Sequence, residues 1–249
     1  MIIKEIYAKS ILSKSQVYDY AINPYVGCSR SCKYCYAAFM KRFTGHRGKW
    51  GEFIDVKINA AEVLAKEIIK KPVGRVWVSG VCDPYQEVEK QYKLTKKCLE
   101  LLVAKGWPVT IQTKSPLVLR DIKILEKSKD IEVGFSIATA DEGIRKLFEP
   151  NAPPVKERIK ALEILHTRGI KTFAMIAPIL PGAEGLVSEL VDKVDYVLVD
   201  RLNYHYANRL YSENKMDWAK EDSFFIQESG ELKRGFDCAG IPVSILFYN

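Results

Sequence analysis

Apolar runs rich in β-branched and aromatic residues alternate along the chain with stretches whose apolar residues recur at helical spacing. The apolar runs predict six β-strands, over residues 18–23, 75–79, 109–113, 131–137, 171–177 and 196–199. Helical stripes lie between them, over 61–68 behind Asn59 as N-cap, 94–102 ending at Gly106, and 155–165 closed by Gly169. This alternation is typical of parallel βαβ units.

Six strand–helix repeats within 249 residues predict an α/β fold, a partial (β/α)6 TIM-like barrel. We expect one domain over 1–249, with a barrel core at about 18–200 and a C-terminal extension, 201–249, that packs on or near it. Ligands gather at the carboxyl ends of the strands in such barrels. The polar residues that follow each strand are therefore the candidate site.

The composition is that of an ordinary globular protein, with 47% hydrophobic residues, 28% charged residues and a net charge of +7. No window reaches the roughly 18 apolar residues of a membrane span, and no secretory signal is evident. We expect a cytoplasmic protein without a membrane partner, where clustered cysteines are metal ligands or catalysts more often than disulfides. The charge and the basic, aromatic run 41–50 permit a nucleic-acid partner without demanding one.

Three closely spaced cysteines, Cys28, Cys32 and Cys35, follow the first predicted strand. Their thiolates can bind three irons of a cubane cluster, whose fourth iron needs another ligand. No fourth cysteine stands nearby, and an open metal position is a feature of catalytic rather than structural sites. The spacing predicts an iron–sulfur cluster with one iron left for a non-protein ligand.

Zinc is the alternative metal for this loop, with His46, Cys82 or another distant residue as fourth ligand. Zinc sites usually combine two paired-cysteine units, whereas this chain has one cluster of cysteines, which favours iron–sulfur. The corresponding alternative function is a zinc-containing nucleic-acid-binding or assembly protein without radical chemistry.

The spacing Cys-x3-Cys-x2-Cys, with Tyr34 before the last cysteine, resembles the signature of the radical S-adenosylmethionine superfamily. The run Asp-Pro-Tyr-Gln after the second strand resembles the branch that includes spore photoproduct lyase. The resemblance implies a [4Fe–4S] cluster on the three cysteines and S-adenosylmethionine on the open iron. It also implies an enzyme that forms a 5′-deoxyadenosyl radical for hydrogen abstraction, with a ferredoxin- or flavodoxin-like electron donor.

Residues at the strand ends receive cofactor roles from this resemblance. Those assigned to S-adenosylmethionine are Tyr34, Ser79, Asp83, Lys114, Ser136, Arg158 and Ile179. Asp83 accepts from the ammonium group and Lys114 binds the carboxylate, because opposite charges at close range neutralise each other. Tyr34 and Ile179 enclose the adenine. For Arg158 a structural role, paired with Glu149, is the alternative.

The substrate side of the site is less defined by the sequence. Cys82, Tyr204 and His205 are candidate catalytic residues, as thiol hydrogen donor, hydrogen or electron relay, and proton carrier respectively. Aligned on Asp83, the hydrogen-donating thiol of the lyase falls on Gly80 in this chain, which departs from the lyase pattern. The substrate therefore stays open, with nucleic acid as the first class to test.

Overall fold

A mostly parallel β-sheet of eight strands forms the centre of the computed structural model, which describes residues 1–247. The strands of the protein are β1 (Ile2–Ile6), β2 (Leu12–Lys14), β3 (Tyr20–Ile22), β4 (Tyr25–Val26), β5 (Phe53–Lys57), β6 (Val76–Val78), β7 (Val109–Thr113), β8 (Ile131–Ser136), β9 (Lys171–Ile176), β10 (Tyr196–Val199) and β11 (Val243–Ile245). The central sheet runs in the order β2-β3-β6-β7-β8-β9-β10-β11, and only the pair of β2 with β3 is antiparallel.

Six neighbouring strands of this sheet, β3 and β6 to β10, are the six that the apolar runs predict. They are parallel to one another and follow in chain order. The sheet ends at β2 on one side and at β11 on the other, so it is open in the described part of the chain. The prediction of an α/β fold with a partial barrel is confirmed.

Helices connect the parallel strands. They are α1 (Ala60–Glu67), α2 (Glu89–Tyr92), α3 (Leu94–Ala104), α4 (Ile122–Leu125), α5 (Glu142–Phe148), α6 (Val155–Thr167), α7 (Leu186–Leu190), α8 (Asn208–Glu213) and α9 (Asp222–Cys238). α1, α3 and α6 coincide with the predicted helical stripes. Among residues 1–247, no helix has both the length and the apolar character needed to cross a bilayer.

Asn59 occupies the predicted N-cap position of α1, but its side chain has a different partner. The side chain of Asn59 makes no capping hydrogen bond to the helix. Its Oδ1 instead accepts from the Ala8 backbone N–H at 2.8 Å, and its Nδ2 donates to the Ala8 carbonyl at 2.9 Å. Asn59 therefore ties the chain after β1 to the start of α1, because a side-chain amide can satisfy both backbone groups of one residue.

A second, three-stranded sheet in the order β1-β5-β4 supports the cysteine loop. β4 ends directly before Gly27, whose φ of +90° lies in the left-handed region. A Cβ on Gly27 would lie 2.2 Å from the carbonyl oxygen of Phe53 in β5. Glycine alone accepts both the dihedral angle and this approach. The loop that carries Cys28 is thereby held against β5.

A buried carboxylate, Glu132 of β8, lies at the amino end of the central sheet. It is 7% exposed, and it is held by the hydroxyls of Thr110 and Tyr196 and by the cations of Arg75 and Lys171. Side chains alternate along a strand, so Glu132 shares its face of β8 with Ser136 at the opposite end. The sheet thus has a fully bonded carboxylate at its amino end and the cysteine loop at its carboxyl end.

The chain after β10 forms α8, α9 and β11, and β11 adds to the sheet beside β10. α9 packs against α7, where a Cβ on Gly235 would lie 2.8 Å from the Val187 side chain. Glu228 on the buried face of α9 is 9% exposed and lies beside Glu184. Burial and the charge of Glu184 raise the pKa of Glu228 to about 7.

This carboxyl pair makes stability depend on pH. In the unfolded chain Glu228 titrates near its ordinary value of 4.5, whereas the folded protein resists its ionisation until about pH 7. The contribution of Glu228 to stability is therefore fully present below pH 4.5 and is lost as the pH rises through 7. Glu228→Gln should raise the free energy of unfolding by on the order of 1–3 kcal/mol at pH 8.5 and change it little at pH 4.5. Urea unfolding at the two pH values measures this, with exposed Glu163→Gln as control; equal effects at both pH values would contradict it.

Candidate active site

A cavity of about 500 Å³ opens at the carboxyl ends of the parallel strands. Most of the residues selected from the sequence line it, namely Cys32, Tyr34, Cys35, Ser79, Cys82, Asp83, Lys114, Ser136 and Tyr204. Its deeper walls are mainly apolar and include Trp77, Phe173 and Leu198. The volume is in the range of ordinary small-molecule sites. The strand ends, the cysteine loop and the chain after β10 thus meet in one place.

The cysteine loop forms one rim of this cavity. Cys32 and Cys35 line it, and the Cys28 thiol accepts from the backbone N–H of Asp83 at 3.5 Å. Burial and the charge of Asp83 raise the pKa of Cys28 to about 12, and burial also raises the pKa values of Cys32 and Cys35. Because burial favours the neutral thiols, these cysteines become thiolates only beside a positive charge, which a bound metal would supply.

An ion pair between Arg30 and Asp83 joins the cysteine loop to the end of β6. Arg30 Nε lies 3.1 Å from Asp83 Oδ2, and both side chains are less than one-tenth exposed. The other donors to this carboxylate are Thr113 Oγ1 at 2.6 Å, Tyr85 N at 2.9 Å and Lys114 N at 3.1 Å. Burial acts to raise the pKa of Asp83, but Arg30 and Thr113 hold it below its usual value. Each oxygen of Asp83 already accepts two hydrogen bonds from the protein.

A second buried charge network lies on the other side of the loop, around Glu149 after α5. Tyr34 donates its hydroxyl to Glu149 Oε1, and Lys114 Nζ lies 3.5 Å from the same oxygen. Arg158 Nη1 lies 2.6 Å from Glu149 Oε2. Burial acts to raise the pKa of Glu149, but Lys114 and Arg158 hold it below its usual value. The carboxylate is therefore ionised between two cations.

Two serines at strand ends present hydroxyls near the cavity. Ser79 Oγ is buried and has no hydrogen-bond partner among the described residues, although the Cys82 thiol is close by. Ser79 also has a φ of +65°, a strained value for a residue with a Cβ. Ser136 Oγ accepts from Gln112 Nε2 at 3.0 Å. Unsatisfied polar atoms and backbone strain of this kind are typical of ligand sites.

These residues fit the two groups that the cysteine signature implies. Three thiols of one loop, each able to bind a different iron, match a cubane cluster with an open iron. The Ser79 hydroxyl and the Lys114 ammonium are polar groups of the kind that an amino acid moiety requires. The donor set is therefore compatible with a [4Fe–4S] cluster and S-adenosylmethionine.

Stacked tyrosines form the outer wall of the cavity. Tyr36 stacks on Tyr204 with ring centroids 6.4 Å apart, and Tyr204 stacks on Tyr206 at 5.8 Å. All three rings are between 40% and 51% exposed. The Tyr36 hydroxyl donates to the Gly80 carbonyl. The rings therefore lead from the residue after Cys35 to the protein surface.

The structure does not bring Ile179 or His205 to the cavity. Ile179 is fully buried in the hydrophobic core. β9 ends at Ile176, and the two residues that follow it, Ala177 and Pro178, line the cavity instead. His205 is exposed and contacts Asn208 at 3.4 Å. Arg158 is also absent from the cavity wall among residues 1–247, and it takes the alternative role of pairing with Glu149.

The alternative of a zinc site has no support here. His46 is occupied by Asp55, with Nε2 2.8 Å from Oδ1, and it stacks on Phe53. Within the described range, no three His, Cys, Asp or Glu side chains converge as they would around a single ion. A cubane separates its ligands further than one ion does, because each thiolate binds a different iron.

Sequence reasoning missed three residues of the site, which are Arg30, Tyr36 and Glu149. Arg30 lies inside the cysteine motif and Tyr36 directly follows it, so proximity to the cysteines was an available signal. Glu149 was named only as a partner for Arg158, and its contacts with Tyr34 and Lys114 depend on the fold.

Comparisons with known proteins agree on the family. The sequence profile of the Radical SAM superfamily matches residues 22–184. The chain is 37% identical over 205 residues to the uncharacterized protein MJ0683 of Methanocaldococcus jannaschii, covering 78% of this chain and 77% of that protein. It is 25% identical over 161 residues to the radical SAM Nalpha-GlyT isomerase of Pseudomonas phage M6, covering 64% of this chain and 33% of the isomerase.

Among solved structures, spore photoproduct lyase complexed with dinucleoside spore photoproduct has a TM-score of 0.74 at 17% identity. The match covers 98% of this chain and 82% of the lyase, and at this identity it establishes the fold alone. The family profile covers most of the chain and includes the cysteine loop and the ends of five parallel strands. The chain belongs to the radical SAM superfamily.

Proposed function

We propose that this radical SAM enzyme cleaves S-adenosylmethionine reductively at a [4Fe–4S] cluster and so begins hydrogen abstraction from a substrate. The observation that carries the proposal is the cysteine loop on the rim of the cavity, with Cys32 and Cys35 in its wall. When bound, the cluster and S-adenosylmethionine supply the electron and the 5′-deoxyadenosyl radical. The chain supplies binding, orientation and exclusion of water.

The residues of the candidate site have different proposed roles according to their position. Cys28, Cys32 and Cys35 bind the cluster. The methionine end of the cofactor is held by Ser79, Lys114 and Ser136, and the Tyr34 ring contacts the adenine. Asp83 is assigned a different task from the one that the sequence indicated, because its oxygens are saturated by the protein. It holds Arg30 and the backbone of Lys114 in place, and Ile179 and His205 are left outside the site.

A thiol and a phenol are the candidates for returning hydrogen to the substrate. Cys82 lines the cavity, and burial strongly raises its pKa, so the sulfur keeps its hydrogen. Tyr204 also lines the cavity and stacks on Tyr36. The lyase-like thiol position is Gly80, which has no thiol, and a Cβ there would lie 3.0 Å from the Trp77 ring, a tight contact. The donor therefore differs from that of the lyase pattern.

Nucleic acid is the substrate class that the surface around the cavity supports best. The stacked tyrosines offer exposed rings on which bases can stack, and base–aromatic stacking is a common mode of binding single strands. Segment 27–51 contains no acidic residue. Its exposed cations Lys33, Arg42, Arg47 and Lys49 form no ion pair with an acid of the described chain. Such cations can contact phosphates, and a peptide or small metabolite is the alternative substrate.

The test is made on protein purified without oxygen. We expect brown protein with iron and sulfide in near-equal amounts, and release of 5′-deoxyadenosine on addition of dithionite and S-adenosylmethionine. Dithionite stands in for a ferredoxin- or flavodoxin-like donor. Added single-stranded oligonucleotide should raise the yield of nucleoside, and a peptide pool serves as comparison. Colourless protein containing one zinc, or no nucleoside under strict anaerobiosis, would refute the proposal.

A further inference from the structure

Glu149 lies directly after α5 and is a buried charged residue in contact with the cysteine loop. Its side chain is 1% exposed and lies between Tyr34 of the cysteine loop and the cations Lys114 and Arg158. Its backbone carbonyl is also held, by Arg145 Nη1 at 3.1 Å. A buried carboxylate with this many fixed partners has one orientation.

The contacts of Glu149 form a chain that begins at Arg158 and ends at Lys114 and Tyr34. Arg158 is fully buried and is anchored independently of Glu149, through Nε to the Pro153 carbonyl at 2.9 Å and Nη1 to the Ser136 carbonyl at 3.0 Å. Arg158 thus fixes Glu149, and the opposite oxygen of Glu149 fixes Lys114 and the Tyr34 hydroxyl. The Lys114 ammonium also lies over the Tyr34 ring, 5.8 Å from its centroid.

The charges of this network act on the cysteine loop. Cys32 interacts electrostatically with Lys114 and with Glu149, in opposite senses. Lys114 is only 14% exposed and Arg158 not at all, so solvent screens these charges weakly. The reduction potential of an iron–sulfur cluster depends on the net charge around it. Cleavage of a sulfonium by one electron needs a strongly reducing cluster.

We propose that Glu149 is a positioning residue that orients Lys114 and Tyr34 and, by its negative charge, lowers the reduction potential of the cluster on the cysteine loop. This inference rests on the proposed function. Without Glu149, two cations would face the loop without compensation and would favour the reduced, more negative cluster. Removing Lys114 would have the opposite effect. Shifts of the reduction potential that have opposite signs in variants of these two residues would indicate a charge effect rather than a structural one.

The experiment is a redox titration of the reconstituted holoenzyme without S-adenosylmethionine, followed by electron paramagnetic resonance. Glu149→Gln keeps an acceptor for Tyr34 and should raise the midpoint potential. Lys114→Gln should lower it, and the double variant should return towards the wild-type value. Glu132→Gln is the control, because it removes another buried carboxylate that lies between two cations, at the far end of the sheet. Its midpoint potential should equal that of the wild type.

Each remaining outcome counts against the proposal. Shifts of the same sign in both single variants, no shift in Glu149→Gln, or an equal shift in Glu132→Gln would overturn it. If these results accompany normal 5′-deoxyadenosine formation by the wild type, the inference fails alone. Wild-type protein without a redox-active cluster would overturn the inference and the proposed function together. If Glu149→Gln folds poorly, the double variant Glu149→Gln/Lys114→Gln compared with Lys114→Gln measures the effect of Glu149, and its midpoint potential should be the higher of the two.

Discussion

Cys32→Ser is expected to abolish cluster binding and 5′-deoxyadenosine formation. Metal ligands must be deprotonated, and a serine hydroxyl does not ionise at neutral pH. Cys32 lines the cavity, and its loss leaves Cys28 and Cys35 as the two protein ligands of the proposed cluster. We expect iron content and the rate of nucleoside formation to fall by about 100-fold or more. Iron and sulfide assays after anaerobic gel filtration, and chromatography of the nucleoside, give the two numbers.

Cys98→Ser is the matched control for this substitution. Cys98 is a fully buried thiol in α3 and lies outside the cavity wall of the described chain. Its replacement should cost some folding stability, because a buried hydroxyl needs a partner, and should leave iron content per folded molecule unchanged. If Cys32→Ser retained iron like the control, the cysteine loop would not be the cluster site.

The parallel core was predictable because its strands are short runs rich in β-branched and aromatic residues that alternate with helical stripes. β7 and β10 begin and end at the predicted residues. β11, which adds to the edge of the sheet beside β10, was not predicted. α9 was missed for another reason. It contains Gly230 and Gly235, which weaken a helix on propensity alone, and Gly235 is needed for contact with Val187.

The residues of the candidate site were also predictable only in part. The cysteines, Lys114 and Ser136 could be placed because they belong to motifs or follow strands directly. Ile179 could not, since the chain turns after Ile176 and sends the side chain of residue 179 into the core. Glu149 depends on a contact across more than a hundred residues, between Tyr34 and the end of α5. Local sequence patterns carry no information on such long-range pairs.

Asp83 provides the second large expected effect, because the sequence and the structure assign it different tasks. Asp83→Ala would leave the Arg30 guanidinium buried without its counter-ion and would remove the acceptor of Thr113. Removing one partner of a buried ion pair typically costs about 3–5 kcal/mol. We therefore expect Asp83→Ala to lower the free energy of unfolding by this amount, measured by urea denaturation, and to lose the cluster during gel filtration.

Glu132→Ala separates stability from site geometry in this experiment, because it also removes a buried, cation-bound carboxylate but at the amino end of the sheet. It should lose less stability, because the cations that it leaves unpaired, Arg75 and Lys171, are partly exposed, and it should keep its iron. If Asp83 instead binds the ammonium group of S-adenosylmethionine directly, the expected result is different. Asp83→Ala would then stay stable and keep its iron, and only the KM for S-adenosylmethionine would rise. That result would restore the role that the sequence predicts, whereas loss of both stability and iron would establish Asp83 as the residue that holds the cysteine loop on β6 and β7.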